Sequence, residues 1–475
     1  MTVPDTDSPP GADANTRGAA PARSPSPGSF GVGELVRRAR ELLAHEGTTG
    51  RLARGALQIF AVNAGGTLVA FVVQILLART LGPADYGLYA YALGLMNIVL
   101  LVAKFDFENA ALRFVGAYRG RREWGLLRGF LRYGHEVVVL SSLVVAAIAA
   151  LIVLSTDRLT PGESNTYLIA CALLPVTAIL TFKSSALQGL TRVVEAQAPG
   201  MLIRPLLFGL GIAALALGAG MRMTAALAVA ANLVASILVL VLSTVFLRRG
   251  LPTDAKHAEP VYAAREWWHV ALGLLLISAS QVVLSQQADV VVVGSIVDKV
   301  AAGHYNAASQ LATLVNFGVT AVLFITAPMI SELHARGGHQ ELQRLVTMAT
   351  RANLLASVPV FFALLLAGGL ALGLYGPTFR DAYPVLVILG VSQLAVALVG
   401  SLSGFLMSMT GNQNAAAVVI GGSAALNIVL TVILTPIFGL IGTATATLIG
   451  TLTRSVLLTL LVRRRLAVRL TLLAS

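Results

Sequence analysis

Apolar runs of about 20 residues recur from residue 56 to residue 462, separated by short polar breaks. At 1.5 Å per residue, such a run matches the ~30 Å hydrocarbon core of a bilayer. A backbone in lipid must satisfy its own hydrogen bonds, so runs of this length are expected to be helices. Twelve runs are read, at roughly 56–78, 87–103, 134–155, 166–188, 201–219, 223–246, 268–296, 304–329, 352–374, 383–408, 413–434 and 439–462. The polar break Met409-Thr410-Gly411-Asn412-Gln413 divides the tenth from the eleventh. The expectation is an all-α polytopic membrane protein with about 12 transmembrane helices. Composition agrees, with 56% hydrophobic and 12% charged residues. Ordinary globular domains carry about 25% charged residues. A water-soluble enzyme could not hide this much apolar surface.

The net charge of +12 could suggest nucleic acid, but the basic residues lie between the apolar runs. A membrane reading therefore explains them better, and no nucleic-acid partner is expected. With the N-terminus in the cytoplasm, the inside loops carry most of the charge. Lys104, Arg113, Arg119, Arg121, Arg122, Arg128 and Arg132 fall in the first, followed by Lys183 with Arg192, and by Arg248, Arg249, Lys256 and Arg265. Arg336, Arg344 and Arg351 follow, and Arg463, Arg464, Arg465 and Arg469 close the series. The outside loops carry about one cation each, at Arg79, Arg158, Arg222, Lys299 and Arg380. This alternation obeys the positive-inside rule at an even number of spans. It places the chain in the cytoplasmic membrane with both termini cytoplasmic. Trp267-Trp268 is expected to mark the inner interface as part of an aromatic belt.

Residues 1–33, rich in Pro, Gly, Ser and Ala, read as a disordered cytoplasmic tail without a signal-peptide core. Residues 34–55 form an amphipathic or linker segment, with a short helix from Glu34 to Glu46. The N-lobe spans 56–246 and the C-lobe 268–462, joined by a cytoplasmic linker at 247–267; 463–475 is a cytoplasmic C-terminus. The halves resemble each other. Gly87-Leu88-Tyr89-Ala90-Tyr91-Ala92-Leu93-Gly94-Leu95 matches Gly303-His304-Tyr305-Asn306-Ala307-Ala308-Ser309-Gln310-Leu311 at Gly, Tyr, Ala and Leu with one constant offset. Six spans per half give a parallel repeat, two six-helix lobes entering the membrane from the same side.

No Gly-Lys pair occurs, so there is no Walker A loop, and neither His-Glu-x-x-His nor Gly-x-Ser-x-Gly is present. No catalytic residue, metal site or bound cofactor is expected. Polar groups inside spans are costly and usually face a bundle interior or a water-filled path. Ser278, Gln281, Ser285 and Asp289 form one stripe if span seven is a continuous helix. Span eight carries Asn306, Gln310, Thr313, Asn316 and Thr320. Span one places Asn63, Thr67 and Gln74 on one face, with Gly65-Gly66 allowing close approach; span ten has Gln393, Gly400, Gly404 and Ser408. Four such helices favour a central polar cavity, although Ser, Thr, Asn and Gln also glue helices together. Asp289 is the lone acid in the second-half spans, about 10 Å outward of the middle of span seven. It is the candidate for H⁺ or Na⁺ coupling, unless it partners a buried Arg. The candidate cations for an anionic substrate are Arg454, deep in span twelve, with Arg204, Lys183, Lys104 and Arg113 toward the inner ends of spans. Gln281, Gln310, Asn63 and Gln74 complete the candidate substrate-binding set.

Three segments carry a family resemblance. They are Arg79-Thr80-Leu81-Gly82-Pro83-Ala84-Asp85-Tyr86-Gly87-Leu88-Tyr89, then Ala186-Leu187-Gln188-Gly189-Leu190-Thr191-Arg192, then Asn427-Ile428-Val429-Leu430 with Pro436-Ile437-Phe438-Gly439-Leu440-Ile441-Gly442. They resemble polysaccharide transporters of the multidrug/oligosaccharidyl-lipid/polysaccharide exporter superfamily, over about 56–465. The resemblance implies two lobes around a central cavity and alternating access. It implies as substrate a polyprenyl-diphosphate-linked oligosaccharide, with membrane lipids and glycan-assembly enzymes as partners. Span one lacks the internal basic residues of some relatives. A multidrug or organic-cation antiporter is the first alternative, weakened by the absence of a deep acid in spans one to six. A membrane-embedded glycan polymerase is the second, weakened by short outer loops.

Overall fold

The computed structural model describes residues 48–466 except 219–221, 284, 321, 323–325, 327–338, 401–402, 404–405 and 408–412. The tail, the Glu34–Glu46 segment, the polar break 409–412 and the stretch 467–475 lie outside the described residues. Among the described residues every regular element is helical.

The first helix, α1 (Thr48–Lys104), holds spans one and two together. Its 57 residues would reach about 85 Å if straight, nearly three bilayer cores. It is broken at one residue, Gly82, whose φ of 72° is left-handed. Glycine takes that conformation without a Cβ penalty, and Pro83, which needs no N–H, restarts the helix. The bond from Tyr86 Oη back to Gln74 Oε1, 3.2 Å, ties the limbs across the turn. The last helix, α12 (Gln413–Leu466), repeats the device at Gly439, φ 58°. Thr435 and Thr443 share a hydrogen bond of 2.8 Å, and a Cβ on Gly450 would lie 3.1 Å from that of Asn427. Those contacts make α12 an antiparallel hairpin. The expected outer loops at 79–86 and 435–438 are therefore glycine kinks in continuous helix.

Between them run α2 (Phe107–Arg121), α3 (Trp124–Leu154), α4 (Pro161–Gly189), α5 (Val193–Ala216) and α6 (Ala225–Gly250). Then come α7 (Ala264–Val283), α8 (Gln286–Ile296), α9 (Lys299–Thr313), α10 (His339–Gly373) and α11 (Tyr383–Ala395). Caps fix several starts. Thr160 and Glu163 form a capping box ahead of Pro161, and Asp298 Oδ1 accepts from Ala301 N at 2.7 Å. In α5 the backbone opens into a π turn at Pro199–Ile203, and a second, Ala214–Gly218, runs past its end. Pro199 starts the first π turn and Pro205 lies two residues past it, so two N–H donors are missing there and the wider turn absorbs the loss.

Eight helices among the described residues are long and apolar enough to cross a membrane. Two of these are the hairpins α1 and α12, and α7 with α8 makes a further crossing bent by 59°. These account for eleven of the twelve expected runs. The remaining run, 304–329, begins in α9 and continues partly outside the described residues. Large aliphatic side chains such as Leu140, Leu151, Val418 and Leu366 stand exposed, as lipid-facing positions do.

Three expectations need correction. The loop 104–133 is mostly helix: α2 fills it, and α3 starts at Trp124, ten residues before span three was expected. Span seven is not one helix but breaks between Val283 and Gln286, where Ser285 is extended (φ −87°, ψ 154°). Trp267 does not face lipid as a belt residue would, and Trp268 is half-buried. Trp267 is fully buried, 5.2 Å edge-on from Phe130, and its Nε1 donates to Tyr118 Oη at 2.9 Å; Trp268 Nε1 donates to Tyr133 Oη at 3.1 Å. A buried indole N–H needs such an acceptor. The pair fastens the start of α7 to α2 and α3. The preceding linker docks too, through Val261 N to Gly125 O at 3.0 Å and Arg128 Nη1 to Ala258 O at 2.7 Å.

Candidate transport path and cation site

The halves meet where the repeated segments cross. Tyr86 Oη accepts from Asn306 Nδ2 at 2.9 Å and passes its proton bond to Gln74, so a polar chain runs from one half to the other. Around it stand Tyr375 and Phe379, with ring centroids 6.3 and 5.6 Å from Tyr86, and His304 is 4.9 Å from Phe379. Nearby, Tyr91 hydrogen-bonds Ser295 at 3.0 Å and lies under the Lys299 ammonium, 3.2 Å from the ring centroid. Arg79 Nε donates to Leu374 O at 2.6 Å. An aromatic and hydrogen-bonded seal thus joins the halves near the Gly82 turn.

Asp289 is the deepest acid in this region, 3% exposed on α8. Its Oδ2 accepts from Tyr305 Oη at 2.9 Å and from Thr447 Oγ1 at 2.8 Å. No cation pairs with it among the described residues. The bend at Ser285 also separates it from the expected stripe. Ser278 instead points to the first half, where its Oγ donates to Asp106 Oδ2 at 3.0 Å, and Gln281 is exposed. Asp106 is fully buried at a left-handed turn, φ 58°, and also accepts from Asn109 Nδ2 at 2.8 Å. Burial pushes the Asp106 carboxyl above its ordinary range, against the pull of those donors.

The other candidates sort into partnered and unpartnered groups. Asn63 Nδ2 donates to Ile59 O (3.0 Å) and to Gln197 Oε1 (3.2 Å), tying α1 to α5. A Cβ on Gly66 would come within 2.3 Å of Met201 O, which is why a glycine sits there. Lys104 pairs with Glu108 one turn on, and Arg113 is exposed. Lys183 Nζ donates to Thr244 Oγ1 at 2.6 Å, joining α4 to α6. Asn316 bonds Gln393, and Gln310 is half-buried. Arg204 and Arg454 are both half-buried, and neither has an ion-pair or hydrogen-bond partner among the described residues. Arg204 stands near Tyr89, whose ring stacks on Phe208 at 6.1 Å.

The sequence reading missed Tyr86, Tyr305 and Thr447. The constant offset held the signal for one of them: Tyr89 and Tyr305 are repeat partners, and each reaches a polar side chain in its own half. Tyr89 Oη accepts from Asn232 at 3.4 Å, whereas Tyr305 donates to Asp289.

A family model described as polysaccharide biosynthesis protein matches residues 52–334, more than half of the chain. The chain belongs to that family. A relative of Haloferax volcanii, named as the probable low-salt glycan biosynthesis flippase Agl15, is 25% identical over 414 residues, covering 86% of this chain and 82% of its own. Among solved structures, an inward-facing multidrug resistance MATE transporter of the MOP superfamily aligns with a TM-score of 0.61 at 14% identity, covering 90% of this chain and 97% of the other. A MOP transporter of Pyrococcus furiosus, whose binding pocket is described as of reverse polarity, aligns with a TM-score of 0.61 at 13% identity, covering 88% and 95%. The fold is that of the MATE transporters. The apolar helices of this member of the polysaccharide biosynthesis family mark it as a multi-pass membrane protein.

Proposed function

We propose that the protein carries a polyprenyl-diphosphate-linked oligosaccharide across the cytoplasmic membrane by alternating access. The observation that supports this is the pair Arg204 and Arg454, one from each half. Each is half-buried with no protein acceptor among the described residues. A guanidinium held from water without an acceptor is costly, and a diphosphate supplies the missing oxygens in bidentate geometry. Lys104 and Lys183 are already engaged within the protein and serve less well. An outward-moving diphosphate also runs with an inside-negative potential. Two uncompensated charges would gain roughly 4.6 kcal/mol per 100 mV.

Asp289 is the coupling site in this reading. Oδ1 has no donor among the described residues, and two hydroxyl oxygens lie at Oδ2, so the group can take a proton or share oxygens with Na⁺. The decisive experiment is reconstitution with a fluorescent lipid-linked oligosaccharide. Arg204→Gln and Arg454→Gln should each slow flipping by about tenfold, the scale of a lost charge-assisted bond, at normal expression. Normal flipping by both would remove them from the headgroup site. Efflux of an organic-cation dye without oligosaccharide flipping would establish the antiporter instead.

A further inference from the structure

The constant offset that pairs Gly87 with Gly303 also pairs Gly82, where α1 turns, with Asp298, which caps α9 after α8 ends. The helices on either side of these turns are therefore equivalent residue by residue. Tyr89 answers to Tyr305, and Val73 stands where the second half has Asp289. Each tyrosine meets a polar side chain from the last span of its own half. Tyr305 meets Thr447 of α12 at the Asp289 carboxylate, and Tyr89 meets Asn232 of α6.

The hydrogen bonds of the two copies run in opposite senses. In the second half, Tyr305 Oη and Thr447 Oγ1 both donate to Asp289 Oδ2, so the chain ends on an acceptor. In the first half, Ser236 Oγ donates to Asn232 Oδ1 at 3.4 Å, and Asn232 Nδ2 donates to Tyr89 Oη at 3.4 Å. Tyr89 is thus an acceptor in its one side-chain bond, and its own proton has no acceptor among the described residues. All three residues are buried, Tyr89 to 3% exposed. Val73 brings no oxygen to replace the missing acid. It packs on α5, where a Cβ on Gly209 would stand 2.5 Å from Val73 Cγ2. Next to Gly209, the Phe208 ring stacks on Tyr89 with an interplanar angle of 9° and fixes its plane. One helical turn before Phe208 is Arg204, whose charge acts on Tyr89 and which also lacks an acceptor among the described residues.

A hydroxyl and a guanidinium held from water with nothing to accept their protons are costly. An anion between them removes the cost, as a proton or cation does at the opposite pole, Asp289. We propose that Tyr89 is a second donor to the substrate's diphosphate beside Arg204, held in its donating sense by Asn232 and Ser236. This rests on the diphosphate-linked substrate proposed above. One guanidinium fork covers two phosphate oxygens. A further donor from a different helix lets the site tell a diphosphate from a monophosphate. Tyr89 binds the headgroup in this scheme, whereas Asn232 and Ser236 are positioning residues.

The test is equilibrium binding of polyprenyl diphosphate and polyprenyl monophosphate to the purified full-length protein, with melting temperatures as the check on folding. Wild type should prefer the diphosphate. Tyr89→Phe keeps the ring on Phe208 and should weaken diphosphate binding about tenfold, with a smaller effect on the monophosphate. Asn232→Asp is nearly isosteric, so a merely structural role would tolerate it. Its carboxylate would instead take the Tyr89 proton and set a negative charge at the site, as Asp289 does in the second half. Diphosphate binding should then fall further than in Tyr89→Phe. Wild-type diphosphate affinity in folded Tyr89→Phe and Asn232→Asp, with Arg204→Gln impaired, would overturn the proposal and leave the substrate reading standing. Equal loss of both lipids in Tyr89→Phe would overturn the role in selection. Failure of wild type to bind polyprenyl diphosphate would overturn the substrate reading and the proposal together.

Discussion

Gly87 and Gly303 cross backbone to backbone at the junction of the halves. A Cβ on Gly87 would stand 1.7 Å from Lys299 O, and one on Gly303 would stand 3.0 Å from the Gly87 Cα. These glycines are repeat partners, so the molecule packs its two copies of one segment against each other. Gly294 adds a third close approach, where a Cβ would meet the Tyr91 ring at 2.3 Å.

Gly87→Ala should therefore separate the halves at the seal. Lys299 O is backbone and cannot swing aside, so the cost is overpacking, about 1–3 kcal/mol. Gly303→Ala should do the same more mildly. Cysteine pairs across the Tyr91–Ser295 contact report the separation: Tyr91→Cys with Ser295→Cys should crosslink readily in the parent and poorly with Gly87→Ala. Undiminished crosslinking would refute the close-crossing geometry.

Asp289→Asn should leave the fold intact, because an amide oxygen still accepts from Tyr305 and Thr447. Flipping in vesicles should then lose its response to pH or Na⁺ gradients. Asp289→Leu should also destabilise, by about 1–3 kcal/mol, since two buried hydroxyls lose their acceptor. Gradient dependence that survives in Asp289→Asn at a normal rate would end the coupling assignment.

Asp106 predicts a pH effect on stability. Its folded-state proton affinity is raised by burial, with Glu108 adding to the rise and Ser278, Asn109 and Lys104 opposing it. The protonated form is thus favoured by folding. Its contribution is fully present below the unfolded value, about 3.9, and is lost as pH rises through the raised folded value. Asp106→Asn should flatten that part of the stability profile, measured by thermal melts from acid to neutral pH. A profile unchanged by the substitution would show that another group sets it.

Cysteine accessibility addresses orientation. In a background carrying Cys171→Ser, Ser164→Cys should react with an impermeant thiol reagent from outside, and Ser475→Cys only after permeabilisation. The reverse pattern would invert the topology drawn from the charge alternation.

Hydropathy and charge sufficed for the class of the fold because lipid imposes a length on every apolar run. They could not reveal how runs are joined. The Gly82-Pro83 pair reads as a loop signal in any sequence, and only the geometry shows a helix turned by one residue. The break at Ser285 was illegible for a similar reason, since Leu284-Ser285-Gln286 breaks no helical rule. Single residues such as Asp289 and Arg454 stood out because charge in an apolar run is conspicuous. Their surroundings did not, because Tyr305 and Thr447 are ordinary residues whose role depends on which helices touch.

The one-residue turn at Gly82 also bears on how the chain can be handled. A protease must draw several residues of extended backbone into its cleft, and α1 presents none between its limbs. An epitope or a fused domain inserted at Gly82 would have to unwind both limbs to emerge. The segment 155–160, where α3 ends and most side chains are exposed, offers a strand of ordinary chain instead. Tags, cleavage sites and fluorophores placed there would leave the hairpin closed, and with it the seal that α1 makes against α9.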